Sequence, residues 1–323
     1  MKAFLKTAPS DTSATVDHAA KLTFQNVCQH FLFAAALPLA ALALATPFAA
    51  WSWLAGLCLH LSWQASLALL PVMIAVRRHR GRAGFLLLAM MVGFWPWVLA
   101  SYASRAPLAH DDSLKIATGN LFDFNEQRST MLDVIGRLDV DLLAVQEVLK
   151  EDEAILTASW PHAVWNHDRE LLGSALLSRH PIPWSHIHDL EGFALVEALV
   201  RTPGGDLRVF VVHLASPKRP TRAAIQDRQL IRLAQLVHAS AEPVVIVGDF
   251  NFSSGAPQWR RFTTTAQLQR PPGISPGTWP TWLGPLGIDI DHIAGRGVGF
   301  SPLQVWTIPG SDHRGLITQV SLR

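Results

Sequence analysis

Two stretches near the N-terminus contain only uncharged and mostly apolar side chains. No Asp, Glu, Lys or Arg lies between Phe31 and Val76, and a second run without charge extends from Ala83 to Ser104. The first run is too long for a single membrane span of about 20 residues, and Pro47 offers a turn near its middle. The pattern predicts a transmembrane anchor over 31–104, with helices at 31–46, 50–76 and 83–104.

A different pattern begins after residue 104. Residues 105–112 read as a short linker, and from 113 onward short apolar runs are separated by turns that contain Gly or Pro. The predicted strands are 114–118, 141–146, 174–178, 194–201, 207–213, 244–248, 289–294, 303–306 and 315–321, and the predicted helices are 127–138 and 221–240. This mixture is typical of stacked mixed sheets flanked by helices, so we expect an α/β domain over 113–323.

Charge is distributed unevenly between these two parts. Residues 1–104 have a balance of +5, whereas residues 105–323 have 20 basic and 23 acidic side chains, a balance of −3. Four arginines lie at 77–82, between the second and third predicted spans, and none lies at the 46–50 turn. By the positive-inside rule, the leader 1–30 is cytoplasmic and the domain after residue 104 lies outside. The sequence predicts a multi-pass inner-membrane protein with a periplasmic or otherwise extracytoplasmic domain.

Two polar side chains lie inside the second predicted span. His60 and Gln64 are four residues apart and therefore share one face of a helix. We interpret them as partners in helix–helix contacts, which is the commoner role of such residues in a membrane, and we interpret the spans as an anchor.

The composition excludes several classes of protein. With 49% hydrophobic and 16% charged residues, the chain is neither disordered nor collagen-like. A globular part with a balance of −3 lacks the positive surface expected of a protein that coats duplex DNA.

Polar residues follow or interrupt several of the apolar runs, at positions where a strand could hold them rigidly. They are Asn120, Glu147, His213, Asp249, Asn251, Asp291, Asp312 and His313. Carboxylates and an amide are suitable ligands for Mg²⁺, and two imidazoles can serve as an acid and a base. The set favours metal-assisted phosphoryl chemistry.

The order of these residues resembles that of a known family. Asn120, Gln146-Glu147, His213-Leu214, Gly248-Asp249-Phe250-Asn251, Ile290-Asp291-His292-Ile293 and Ser311-Asp312-His313 are similar to the motifs of the endonuclease/exonuclease/phosphatase superfamily. That superfamily includes DNase I-like nucleases, inositol-polyphosphate phosphatases and neutral sphingomyelinases. The resemblance covers residues 113–323 and implies a two-sheet α/β sandwich of the DNase I-like type.

The resemblance also implies a metal site and a base. Glu147 resembles the principal ligand of Mg²⁺ or Mn²⁺, with Asn120 assisting at the metal and phosphate. His313 resembles the base that activates water, and Asp291 the carboxylate that orients it. Asp312 resembles either a ligand of a second metal or a residue just behind the metal.

The remaining roles bear on the subgroup. Asp249 and Asn251 resemble the pair that positions the nucleophile and stabilises the pentacovalent phosphorus. His213 resembles the acid that protonates the leaving oxygen in DNase I-like and sphingomyelinase-like members, whereas the abasic-site nucleases do not usually have histidine there. The sequence therefore favours a phosphodiesterase over a DNA-repair enzyme.

Some neighbouring residues keep two interpretations. Asp289 competes with Asp291 for one role, and Asp291 fits the motif better. Asp123 and His292 are more simply explained as structural residues. Lys218, Arg219, Arg222 and Arg228 are either phosphate contacts or a solvated face, and the Trp- and Pro-rich segment 277–285 is a pocket rim, a lipid contact or a packed loop.

Three classes of function remain open. The first and favoured one is a membrane-anchored phosphodiesterase that acts on a lipid headgroup or related phosphoester, with the bilayer and the substrate as its partners; the sequence identifies no protein partner. A membrane-tethered nuclease acting on DNA would use the same residues but needs a basic groove. A binding module without catalysis is the third, and an intact set of acid, base and metal ligands argues against it.

Overall fold

The computed structural model describes residues 27, 48, 52–65, 103–104, 107–109, 113–167 and 173–323. The leader apart from residue 27, the predicted span 31–46, residues 83–102 of the span predicted at 83–104 and most of the linker 105–112 lie outside these residues. Ala103 and Ser104, at the end of that third predicted span, form a short strand, so the predicted helix is wrong there. Among the described residues, no helix is both long enough and apolar enough to cross a membrane.

The described part of the second predicted span is not one continuous helix. Helix α1 is Trp53–Leu59, and a turn follows at His60 and Leu61. The amides of these two residues bond to carbonyls three residues back, His60 N to Leu57 O at 3.2 Å and Leu61 N to Cys58 O at 3.1 Å, which tightens the backbone there. The prediction of an uninterrupted helix over 50–76 is therefore wrong at this point.

The remaining described elements are mostly strands, with a few helices between them. The strands are β1 Ala103–Ser104, β2 Leu114–Asn120, β3 Leu142–Val148, β4 His162–Asn166, β5 Gly173–Ser178, β6 Trp184–Leu190, β7 Phe193–Thr202, β8 Gly205–His213, β9 Val244–Asp249, β10 Gly273–Ile274, β11 Asp291–Arg296, β12 Val298–Phe300, β13 Gln304–Thr307 and β14 Arg314–Leu322. The helices are α2 Arg128–Gly136, α3 Asp152–Thr157, α4 Pro220–Ala239 and α5 Pro257–Thr265, and a 3₁₀ segment covers Thr281–Leu286.

Two mixed sheets form the body of the domain. The first has the order β12-β14-β2-β3-β5-β4, with β13 paired to β14, and the second has the order β11-β9-β8-β7-β6. Each sheet contains one parallel pair, β2 with β3 and β8 with β9, while the other pairs along these two orders are antiparallel. The two-sheet α/β sandwich predicted for 113–323 is confirmed.

Three apolar layers hold the sandwich together. The inner layer lies between the sheets and includes Ile116 and Leu316 from the first sheet and Val209 and Val247 from the second. A second layer packs α4 and α5 on the outer face of the second sheet, and a third packs α2 and α3 on the first. Burial of apolar side chains at about 25 cal/mol per Å² makes these layers the main source of stability.

The register of the strands brings polar strand ends together. His213 lies opposite Asp249 across the parallel pair β8–β9, and Asp291 lies opposite Asp249 across the antiparallel pair β11–β9. In the first sheet, Asn120 lies opposite Gln146, the residue before Glu147. Because both parallel pairs end at the same side of the sandwich, the polar residues of the two sheets meet there.

Candidate active site

A cluster of side chains from both sheets lies at this side of the sandwich. The Asn120 amide nitrogen donates to Glu147 Oε1 at 2.9 Å and to Asp249 Oδ2 at 3.1 Å. His213 Nε2 lies 3.7 Å from Asp249 Oδ2 and 3.9 Å from Glu147 Oε1. His313 Nε2 lies 4.0 Å from the same Asp249 oxygen, so two imidazoles approach one carboxylate.

His313 and Asp291 form a hydrogen-bonded pair across the two sheets. His313 Nδ1 lies 2.9 Å from Asp291 Oδ2, and both side chains are buried. The His313 amide donates to Ser311 Oγ, whose hydroxyl donates to the carbonyl of Asn120 at 2.7 Å. With Nδ1 held by Asp291, Nε2 of His313 is the nitrogen left facing the cluster, as a base oriented by a carboxylate requires.

The charges in this cluster shift one another's protonation. Burial alone would lower the pKa of His313, but the carboxylates of Asp291, Asp249 and Asp312 raise it to about 10. Burial and the neighbouring Asp291 raise the pKa of Asp249 to about 6, against the opposing effect of His313 and His213. A divalent cation on these carboxylates would weaken their hold on the His313 proton.

Two residues of the cluster have left-handed backbone conformations. Glu147 has φ 57° at an irregularity between β3 and β5, and Asn251 has φ 56°. Such conformations cost free energy in residues other than glycine and persist only where the surroundings hold them. Glu147 Oε2 accepts from the amide of Asp123 at 3.0 Å, and the Asn251 side chain donates to the carbonyl of Leu214 at 2.9 Å.

An ion pair between the half-buried Arg128 and the buried Asp152 lies behind Glu147. The Arg128 guanidinium binds both oxygens of Asp152, whose carboxylate also accepts from the amide of Leu149 at 2.8 Å. The same guanidinium reaches the carbonyls of Glu147 and Phe122, each at 3.5 Å. The pair therefore connects the loops that follow β2 and β3.

We expect Arg128→Ala to weaken metal binding as well as stability. Leaving Asp152 buried without its partner should lower the free energy of unfolding by about 3 kcal/mol, and loosening the backbone at Glu147 should raise the Mg²⁺ concentration for half-maximal binding about 10- to 100-fold. Urea unfolding and calorimetric Mg²⁺ titration measure the two effects. Arg137→Ala, at an exposed position just after α2, is the control, and equal Mg²⁺ affinity in both variants would contradict the role of the pair.

The donor set fits a divalent cation. Glu147, Asp249 and Asp291 supply carboxylate oxygens, and Asp291 Oδ1 is buried and has no hydrogen-bond partner among the described residues. Asp249, Asp291 and His313 also present ligand atoms that all lie within 4.8 Å of one another. This group differs from the predicted set of Asn120, Glu147 and Asp312, but Asp249 contacts Asn120 and His313 adjoins Asp312.

Two of the predicted metal ligands have other partners. Asn120 Oδ1 accepts from the amide of Phe122 at 3.0 Å, so its nitrogen rather than its oxygen faces the carboxylates. The side chain of Asp312 is 40% exposed, and its Oδ2 accepts from Trp279 Nε1 at 2.8 Å while Oδ1 lies 4.0 Å from His313 Nε2. Asp312 thus connects the Trp- and Pro-rich segment to the site. Their ligation of a metal stays a prediction.

The residues with two interpretations are separated by the structure. Asp291 contacts His313, whereas Asp289 accepts from the amide of Ser254 at 3.3 Å. His292 stacks on Trp259 and its Nε2 lies 2.8 Å from the carbonyl of Phe252, as expected of a structural residue. Among the basic residues, Arg228 pairs with Glu191 and Arg222 lies over the ring of Phe193, while Lys218 and Arg219 are exposed.

Asp289 is a buried carboxyl whose ionisation opposes folding. Burial raises its pKa to about 7, against the lowering effect of hydrogen bonds from Ser254 and the charge of Arg270. A folded-state pKa above the unfolded value of 3.8 means that the protein loses stability as pH rises between these two values.

Asp289→Asn should therefore stabilise the protein more at pH 8 than at about pH 4.5, because asparagine does not ionise. The gain has a ceiling of about 4 kcal/mol. Urea unfolding of both proteins at the two pH values measures it, with the exposed Asp133→Asn as control. An Asp289→Asn effect that is the same at both pH values would contradict the assignment.

The sequence missed residues that position the cluster. Thr278 Oγ1 accepts from the amides of Ile290 and Asp291, at 3.2 and 3.3 Å, and so fixes the start of β11. Ser311 supports His313 and was visible in the Ser-Asp-His motif, whereas nothing in the local sequence singles out Thr278 or Arg128.

Residues 117–313 match the Endonuclease/Exonuclease/phosphatase family. None of the curated proteins compared with the chain matches it in sequence.

Several solved structures are similar in fold. An endonuclease/exonuclease/phosphatase from Beutenbergia cavernae is 18% identical, with a TM-score of 0.54 over 65% of this chain and 72% of that one. A humanized D. rerio TDP2 is 15% identical, with a TM-score of 0.54 over 65% of this chain and all of that one. Sphingomyelinase C from Streptomyces griseocarneus is 16% identical, with a TM-score of 0.50 over 64% of this chain and 99% of that one. At these identities the similarity establishes the fold alone.

Proposed function

Because this chain belongs to the endonuclease/exonuclease/phosphatase family, whose members are metal-dependent phosphoesterases and nucleases, we propose that it hydrolyses a phosphodiester with water. The observation that carries the proposal is the approach of His213, at the end of β8, and His313, just before β14, to the same oxygen of Asp249. Two imidazoles around one reaction centre suit a displacement in which one removes a proton from water and the other protonates the leaving oxygen.

Each residue of the cluster has a role in this proposal. His313, oriented by Asp291, is the base, and His213 is the acid. Asp249 and Asn251 position the attacking water and the phosphoryl oxygens. Glu147, with Asn120 beside it, would hold Mg²⁺ or Mn²⁺, which when bound supplies positive charge to the phosphoryl oxygens.

A lipid headgroup or related phosphoester is the favoured substrate. The balance of −3 over residues 105–323 disfavours a polyanion. Phe124, in the loop after Asn120, is 76% exposed, and Trp282, in the segment before Asp291, is 80% exposed. Exposed aromatic side chains in loops that flank a site suit an amphipathic substrate.

DNA is the alternative substrate. The exposed Lys218 and Arg219 follow His213 by five and six residues and could neutralise backbone phosphates. Two of the similar structures are named as a sphingomyelinase and as TDP2, and their fold-level similarity does not choose between the substrates.

The deciding experiment is hydrolysis by purified full-length protein, with Mg²⁺ or Mn²⁺ and then with EDTA. The substrates are phospholipid and sphingomyelin vesicles, supercoiled plasmid DNA and a bis-aryl phosphodiester. We expect EDTA-sensitive headgroup release without plasmid nicking. Nicking without headgroup release would replace the lipid proposal by the nuclease, and inactivity on all three would contradict the proposed hydrolysis of simple diesters.

We further propose that the catalytic domain acts outside the cytoplasm. The support is the arginine loop at 77–82 and the charge-free runs on either side of it. A reporter that is active only after export, such as alkaline phosphatase, should be active when fused after Arg323. Activity confined to a reporter that works only in the cytoplasm would reverse the proposed topology.

A further inference from the structure

One segment of the N-terminal region, residues 52–65, reaches three loops of the catalytic domain. Trp53 Nε1 donates to the carbonyl of Pro217 at 2.8 Å. The amide of Ser253 donates to His60 Nδ1 at 3.4 Å. Gln64 Nε2 donates to the carbonyls of Leu286 and Gly287 at 2.9 and 3.0 Å. Residues 52–65 therefore form a docking segment.

The three loops are those that carry the second sheet's contribution to the site. Pro217 lies in the loop that follows His213, Ser253 lies two residues after Asn251, and Leu286 precedes Asp291 in the segment that Asp312 also contacts. The docking segment thus contacts the loops that follow β8 and β9 and the loop that precedes β11, next to the strand ends that carry His213, Asp249 and Asp291.

The docking segment and the Asn251 side chain connect the same two loops, the one after β8 and the one after β9. The Asn251 side chain donates to the carbonyl of Leu214, three residues before Pro217. The docking segment bonds to Pro217 on the loop after β8 and to Ser253 on the loop after β9, and so forms a second link between the two loops. Asn251, with φ 56°, needs such support because its backbone conformation is unfavourable by itself.

Two polar side chains of the docking segment have partners in the catalytic domain. The side chains of His60 and Gln64 bond to backbone groups of the catalytic domain, where the sequence predicted helix–helix contacts within an anchor. His60 is 9% exposed. A buried polar side chain is costly without a hydrogen-bond partner, and the contact with Ser253 supplies one for His60.

We propose that residues 52–65 dock on the loops at 217, 253 and 286–287 and make Trp53 and Gln64 positioning residues for the active site. The family match begins at residue 117, so the docking segment lies outside the part that the family shares. The placement of residues 52–65 is argued from these contacts alone, whereas the effect of Trp53 and Gln64 on the rate rests on the proposed function.

Chemical cross-linking tests the docking without any activity. In the full-length protein with Cys28→Ser and Cys58→Ser, the pair Gln64→Cys and Leu286→Cys should be joined by a short bismaleimide, and mass spectrometry should identify the linked peptides. The matched control pairs Gln64→Cys with Ile187→Cys, which is exposed on β6 at the far edge of the second sheet and should not be joined. Absence of the 64–286 link, when each single cysteine reacts fully with a monomaleimide, would overturn the docking.

Kinetics on a bis-aryl phosphodiester test the positioning. Trp53→Phe with Gln64→Glu removes both side-chain donors and should lower kcat about tenfold, with KM and Tm unchanged, because small displacements of reacting groups reduce rates strongly. Leu54→Ala, an exposed position on α1, is the control and should keep the wild-type kcat. A double variant with wild-type kcat overturns the positioning role, whereas a wild-type protein that is inactive on every diester counts against the proposed function while the cross-link still reports on docking.

Discussion

Replacing His313 by alanine is expected to lower kcat by about 10³-fold, the middle of the range for removal of an acid or base. Asp291 orients the His313 imidazole, whose Nδ1 lies 2.9 Å from Asp291 Oδ2. No other described histidine lies within hydrogen-bond distance of Asp291. The loss should be in kcat rather than KM because the base acts on the attacking water. Steady-state kinetics with the best substrate from the panel measure it.

The pair can be tested as a unit. If Asp291 works only through His313, then Asp291→Asn combined with His313→Ala should be no slower than His313→Ala alone, since groups that act together are not additive. His186→Ala, on the exposed strand β6, controls for loss of an imidazole. Turnover close to wild type in His313→Ala would remove His313 from the mechanism.

Replacing Glu147 by glutamine is expected to reduce kcat/KM by about 10³-fold at low Mg²⁺, since a metal contributes several kcal/mol of charge stabilisation. Glutamine keeps the size of the side chain and one acceptor oxygen for the amide of Asp123, so the backbone at φ 57° should persist. Part of the activity should return at high Mg²⁺ if the carboxylate acts chiefly by holding the ion.

Two measurements separate metal binding from folding in this variant. Mg²⁺ dependence of the rate and calorimetric titration should both shift to higher concentration, while circular dichroism should not change. Glu126→Gln, exposed in the loop after β2, is the control. An unchanged Mg²⁺ dependence in Glu147→Gln would mean that the ion is held elsewhere, for example by Asp249 and Asp291.

The sequence predicts the buried strands better than the other parts of the fold. β8 and β9 lie within two residues of their predicted bounds, because parallel strands covered on both faces are continuous apolar runs. β6 was missed since it is an edge strand with mostly exposed residues, so its side chains lack an apolar pattern. α5 was missed because only Trp259 and Phe262 of its nine residues are buried.

In the candidate site, too, some residues can be predicted from the sequence and others cannot. Residues at strand ends, such as Asp249 and Asp291, could be predicted because a polar residue after an apolar run is visible in the sequence itself. Arg128, Thr278 and Trp53 support the site from a helix, a loop and a distant segment, and their closeness to it depends on tertiary structure. Nothing in the sequence indicates that His60 and Gln64 contact loops of the catalytic domain.

The division of the cluster between two sheets has a consequence for mutational screens. Asn120 and Glu147 belong to the first sheet and His213 and Asp249 to the second, so the inner apolar layer sets the gap across which they face each other. Because interiors are close-packed, a change of one methylene at Val209 or Val247 alters that gap by a fraction of an ångström. Selections for altered or temperature-sensitive turnover should therefore recover substitutions deep in this layer, in well-expressed protein whose polar site residues are all intact.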